Sequence, residues 1–179
     1  TVGNSSALSF AISYDGNGNT GGSVPSNTTV NAFASTSLAT NSGTLARTNY
    51  TFSGWNTAAN GSGTSYAAGA TGVYVNKDTT LYAQWSSTIT YNGNGYTSAV
   101  DTIPAATTVI GSANATLAAP TTLLRTNFTF DGWNTAANGS GTSYAAGLTT
   151  YTSTGSTRLY AQWKAPITFN GNTNSGGTA

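Results

Sequence analysis

The chain has 179 residues, of which five are Lys or Arg and four are Asp, with no Glu, His, Cys or Met and a formal net charge of +1. Charged residues make up 5% of it, against roughly 25% in an average globular protein. The scattered basic residues form no cluster for phosphate, which excludes a nucleic-acid role, and no apolar run is long enough to insert in a membrane. Aromatic residues at 11% and apolar residues at 37% set the chain apart from disordered sequences, which are poor in aromatics.

Residues 1–11 read as a leader segment. The pattern that closes each later unit is missing there, and Leu8 stands where the offset would require a tryptophan. Ile12-Ser-Tyr14 alternates as a short strand, and Asp15-Gly-Asn-Gly18 predicts a type I′ hairpin turn, which needs positive φ at both central residues. The next strand is expected near 23–33, ending in the Thr28–Phe33 segment. Residues 34–46 are small and polar and fit a short helix or a loop.

Asn49-Tyr-Thr-Phe-Ser-Gly-Trp55 follows. Tyr50 and Phe52 share one strand face, and Trp55 falls on the opposite parity. Gly54 is the expected site of a bulge that returns Trp55 to their side. Residues 56–64, NTAANGSGT, are turn formers and predict a loop. Leu81, Ala83 and Trp85 then face one way and Tyr82 and Gln84 the other, as in a strand with one buried face. Long helical periodicity is absent, and threonine and the aromatics favour strands.

This series repeats. Residues 45–69 and 123–147 differ at three positions: Ala46/Leu124, Tyr50/Phe128 and Ser53/Asp131. LYAQW occurs at 81–85 and again at 159–163, an offset of 78. ISYDGNG at 12–18, ITYNGNG at 89–95 and ITFNGN at 167–172 open successive units. The expected organisation is a leader over 1–11, repeat 1 over 12–86, repeat 2 over 87–164 and the opening strand of a third repeat over 165–179. A unit this small is marginal alone, and stacking or tethering in an array is its usual context. The core is assigned to Tyr50, Phe52, Trp55, Leu81 and Trp85 in the first unit and Phe128, Phe130, Trp133, Leu159 and Trp163 in the second.

The opening ITYNGNG, the middle RTNFTFDGWNTAANGSG and the closing LYAQW resemble the Listeria–Bacteroides repeat, also called the internalin B-repeat. The resemblance covers 12–85 and 89–163. It implies a mainly β fold of tandem β-grasp-like domains, each a small sheet with at most one short helix. It also implies a place in large bacterial surface or secreted proteins. The stretch 33–46 departs from the family by being longer and less Pro-rich.

Candidates for chemistry are few. Acid–base catalysis needs a positioned titratable group, and here only Asp15, Asp78, Asp101 and Asp131 qualify. Asn92, Ser156 and Ser53 stand at the positions matching Asp15, Asp78 and Asp131, so the repeated unit keeps no carboxylate and an enzyme is not expected. Calcium normally needs closely spaced carboxylates, which the Asn-rich loops lack. No metal or cofactor is expected. An isopeptide bond would need a repeated Lys, but Lys77 matches Gly155 and Lys164 matches Ser86. Seven Asn-X-Ser/Thr sequons, at Asn4, Asn27, Asn49, Asn60, Asn114, Asn127 and Asn138, are what this composition gives by chance.

Arg47 and Arg125 are the two charges kept in both units. They are either ligand contacts or, as favoured here, side chains lying over a neighbouring aromatic ring. The tryptophans could stack on sugars, but each shares a strand with other large apolar residues. The bias to Thr, Ser, Asn and Gly with little Lys points to an extracellular or cell-surface location, and the absence of a charged-then-apolar leader points to a processed chain or an excerpt. Three roles follow: a stalk or spacer, each repeat adding roughly 30–40 Å; a module adhering to glycans or a host surface; and a fibre subunit joined to other copies of itself by strand exchange. Neighbouring repeats are the first partners in all three.

Overall fold

The computed structural model describes residues 8–97, 103–111 and 113–168. They form strands, turns and bridges, with no helix among the described residues. The 34–46 stretch is irregular, tied by a bridge from Thr36 to Val73.

The chain falls into two compact units. Unit 1 takes the described residues up to Ile89, with Thr107–Ala115 and Thr150–Thr157. Unit 2 takes those of Thr90–Ala106, Thr116–Thr149 and from Arg158 onward.

In unit 1, β1 (Ser9–Asp15) pairs antiparallel with β2 (Thr28–Asn31). Strands β3 (Thr51–Asn56) and β4 (Ser65–Tyr66) pair antiparallel with each other. The long strand β5 (Thr79–Asn92) runs parallel to β1 along Thr79–Tyr82 and antiparallel to β3 along Tyr82–Ser86. The resulting order β2-β1-β5-β3-β4 places the first and last strands of repeat 1 side by side and parallel, as in a β-grasp sheet without its helix. β6 (Thr107–Ile110) pairs antiparallel with Ser86–Ile89 of β5. β7 (Asn114–Ala115) pairs with Tyr151–Thr152, which forms β10.

The expected bulge is present. Phe52 lies opposite Trp85 and Gly54 opposite Gln84, so Ser53 is the extra residue. Gly54 has φ 128°, and a Cβ there would meet the carbonyl oxygen of Tyr66 at 2.5 Å. The bulge brings Trp55 back beside Phe52, with ring centroids 5.1 Å apart, while Phe52 meets Trp85 edge-on at 5.8 Å. Around them Ile12, Tyr14, Val30, Leu38, Leu45, Val73, Leu81 and Ala83 complete a buried cluster.

In unit 2 the order runs from β5 to β11 (Thr157–Lys164), then β8 (Thr129–Asn134) and β9 (Ser143–Tyr144). The same bulge recurs, with Asp131 as the extra residue. Phe130 meets Trp133 at 5.1 Å and Trp163 at 5.8 Å. Tyr91, Leu117, Leu123, Trp133, Leu159 and Ala161 are buried.

Two expectations need correction. Asp15-Gly-Asn-Gly18 does not close a hairpin, because residues 16–27 separate β1 from β2. The local turn does form: Asn17 and Gly18 have φ 47° and 81°, and the Asn19 amide donates to the Gly16 carbonyl at 3.1 Å. The strand expected over 23–33 is limited to Thr28–Asn31, and Phe33 leaves it at φ 66° and 98% exposed. β1 begins at Ser9, within the segment expected as a leader. Residues 86 and 87, where one repeat is expected to give way to the next, both lie in β5. Of the expected third opening strand, 165–168 are not in a strand and 169–179 lie outside the described residues, as do 1–7 of the leader.

Candidate functional site

The large apolar residues shared by the two repeats converge on internal structure. Trp55, Leu81, Trp85, Trp133 and Leu159 are buried. Tyr50, Phe52, Phe130 and Trp163 are half-buried. Phe128 is 38% exposed, which corrects its assignment to the core.

Each tryptophan has a hydrogen-bonding role besides its packing. The Trp55 indole donates to the Ala39 carbonyl at 2.9 Å, and the Ala39 amide donates to the Tyr14 hydroxyl at 2.8 Å. Trp133 and Tyr91 hold Ala118 in the same way, at 2.7 and 3.0 Å. Two aromatic side chains thus bond both backbone groups of one residue in an irregular stretch, and the Gly69 amide also donates to the Ala39 carbonyl at 3.2 Å. The Trp85 indole donates to the carbonyls of Gly16 and Asn17, both at 3.1 Å, and Trp163 does so to Gly93 and Asn94.

A pair of asparagines that turn propensity alone does not distinguish organises the identical loops. Asn56 is fully buried. Its Oδ1 accepts from the amides of Ala58 and Gly63 at 2.8 and 3.0 Å, and its Nδ2 donates to the Gly61 and Gly63 carbonyls and the Ser65 hydroxyl at 3.2, 3.2 and 2.9 Å. Asn134 repeats this set with Ala136, Gly139, Gly141 and Ser143. The Gln84 amide nitrogen, on the adjacent strand, lies 3.4 Å from the carbonyls of Ala58 and Ala59. The one available sequence signal was the unbroken identity of NTAANGSGTSYAAG in both copies.

Arg47 lies over the Tyr50 ring at 4.2 Å, and Arg125 over Phe128 at 4.3 Å. A tight turn makes this possible: Asn49 has φ 64°, and the Tyr50 amide donates to the Arg47 carbonyl at 2.9 Å. Asn127 and Phe128 reproduce it at 65° and 3.0 Å.

The carboxylates act as acceptors at turns and strand edges. Asp15 accepts the Asn17 amide at 2.7 Å, and Asn92 does the same for Asn94 at 2.9 Å. Asp78 accepts the Ala11 amide at 2.8 Å, and the Ser156 hydroxyl accepts that of Thr88 at 3.0 Å. The positions need an oxygen, not a charge, which explains their exchange with Asn and Ser. Asp131 pairs with Lys164 at 3.1 Å on the surface. Asp101 lies outside the described residues. Among the described residues no three His, Cys, Asp or Glu side chains come together. A groove of about 430 Å³ between Asn60–Ser62, Gln84 and Gly111 has no carboxylate or basic side chain in its lining.

The Listeria-Bacteroides repeat domain matches residues 10–84 and 88–162. A protein of Evansella cellulosilytica named "Putative Gly-rich membrane protein" is 35% identical over 167 residues, covering 89% of this chain and 19% of that protein. A second protein of the same organism, named "Putative membrane protein", is 37% identical over 92 residues, covering 50% of this chain and 14% of that protein. The chain therefore spans under a fifth of either relative. No helix of the described residues is long and apolar enough to cross a membrane. With both matches falling on the units that LYAQW closes, the chain belongs to the Listeria-Bacteroides repeat domain family and carries two tandem copies of it.

Proposed function

We propose that this chain is a spacer: a stretch of structural stalk in a bacterial cell-surface or secreted, adhesin-like protein. The observation that carries this reading is β5. The closing LYAQW of repeat 1 and the opening ITYN of repeat 2 lie on one strand of 14 residues. From Thr79 to Ile89 that strand is hydrogen-bonded to β1, β3 and β6, within residues that unit 1 gathers from both sequence repeats. Consecutive repeats joined in this way transmit load through paired backbone rather than through a free linker. The side chains kept in both copies serve packing, turns and loop closure, and the low charge leaves little for salt to screen.

The two named relatives are much longer than this chain and carry "membrane protein" in their names, which supports placement at the cell envelope. Small-angle scattering on arrays of two, four and six repeats tests the spacer. Maximum dimension rising in equal steps is expected. A dimension that levels off, or grows as the square root of repeat number like a flexible chain, contradicts it.

A further inference from the structure

One face of unit 1 is apolar and open. Leu8, Phe33 and Tyr74 are 64, 98 and 67% exposed, and with Phe10 and Val75 they line a groove of about 490 Å³. Contiguous exposed apolar surface of this kind marks an interaction site. The matching positions in the second sequence repeat show what it receives. Val75 and Asp78 correspond to Ser153 and Ser156, a register fixed by the equivalent pairs Thr36–Val73 and Ala115–Tyr151. Ser153 and Ser156 sit, inside unit 1, against the Arg47–Tyr50 turn. The Tyr50 hydroxyl donates to the Ser153 carbonyl at 3.2 Å, and the Ser156 amide donates to the Asn49 carbonyl at 2.6 Å.

The counterpart of the Arg47–Tyr50 turn lies in unit 2. The Arg125–Phe128 turn has the same backbone form, and Phe128 is 38% exposed where Tyr50 is half-buried. The polarity changes in step. Phe128 lacks the hydroxyl of Tyr50, and Tyr74 and Val75 replace Thr152 and Ser153.

We propose that the Phe33–Tyr74–Val75 face of one molecule receives the Asn127–Phe128 turn of a second copy of this chain. Face and turn are different surfaces, so the association is heterologous, head-to-tail. It needs no exchange of strands and does not depend on the spacer reading. One residue weakens the fit. Lys77 stands where the internal pairing has Gly155, and a Cβ at Gly155 would lie 2.7 Å from the Asn49 Cβ.

Sedimentation velocity over a concentration series up to millimolar tests this with the whole chain. Wild type is expected to form growing oligomers. The face variant Phe33→Asn/Tyr74→Ser and the turn variant Phe128→Ser should each stay monomeric alone, with unchanged circular dichroism. Their equimolar mixture should give dimers that grow no further, because one intact face and one intact turn remain. Lys77→Gly should tighten association about tenfold or more, equivalent to about 1.4 kcal/mol. Wild type that stays monomeric, or oligomers indifferent to both variants and to Lys77→Gly, would overturn the proposal.

Discussion

Trp85 and Asn17 hold each other in place. The Trp85 indole donates to the Asn17 carbonyl at 3.1 Å, and the Asn17 side-chain amide donates back to Ala83 at 2.8 Å, two residues before the tryptophan. Asn17 also reaches the Ala59 carbonyl at 2.8 Å. The opening loop, the middle loop and the closing strand of the repeat therefore meet at one asparagine. Asn94 repeats the arrangement with Ala137, Ala161 and Trp163.

Asn17→Ala should accordingly destabilise unit 1 by about 2 kcal/mol, since two backbone carbonyls lose their shorter donor, leaving only the Gln84 amide at 3.3–3.4 Å, and a residue suited to positive φ is removed. Trp85→Phe keeps most of the packing but not the donor, and should cost about 1–2 kcal/mol. Urea denaturation followed by circular dichroism reads both. A cost near zero for both would show that the loop is held by something else.

Asn56→Ala is expected to be among the most damaging single changes in the loop, at about 3 kcal/mol or more, because the loop loses all five of its hydrogen bonds to one buried side chain together. Proteolysis should then cut within 57–64 before the rest of the chain. A loop kept for binding an outside ligand would instead tolerate the change and lose only the ligand.

Gly54→Ala and Ser53→Asp are neighbours with opposite expectations. Alanine at Gly54 must adopt a φ near 128° and meet the Tyr66 carbonyl, so a loss of about 2 kcal/mol or more is expected. Aspartate at Ser53 is what the second repeat already carries at Asp131, and it should fall within about 0.5 kcal/mol of wild type, as surface substitutions do. Thermal melts of the two variants separate these outcomes.

Arg47→Ala should cost about 0.5–1 kcal/mol through the lost contact over Tyr50. Arg47→Lys should recover part of that. A variant that melts like wild type would remove the packing role and return Arg47 to consideration as a ligand contact.

Much of this was legible in the residues, and the rest has identifiable causes. The bulge at Gly54 was legible because parity placed Trp55 on the wrong side of its own strand. The positive φ of Asn17 and Gly18 was legible because the dipeptide demands it, but not what the turn joins, since β2 lies beyond a 16–27 loop of polar residues. The stretch 34–46 was opaque: Leu38 and Leu45 are buried among small residues with no period, and Ala39 is held by side chains from Tyr14 and Trp55, both distant in sequence. Asn56 was hidden because Asn in a Gly-rich loop reads as a turn former. Phe128 was assigned inward by strand alternation, whereas the tight turn at Asn127 lays its ring under Arg125 instead. The continuity of β5 had a signal that unit-by-unit reading passes over. Only Ser86 and Ser87 separate Trp85 from Thr88, too few for a linker.

The direct measurement is residue-resolved hydrogen exchange along Thr79–Asn92. A strand shared by consecutive repeats predicts slow exchange running unbroken through Ser86–Thr88 at the repeat boundary. Fast, loop-like exchange of those three amides, between protected segments on either side, would mean separate modules on a flexible joint and would contradict it.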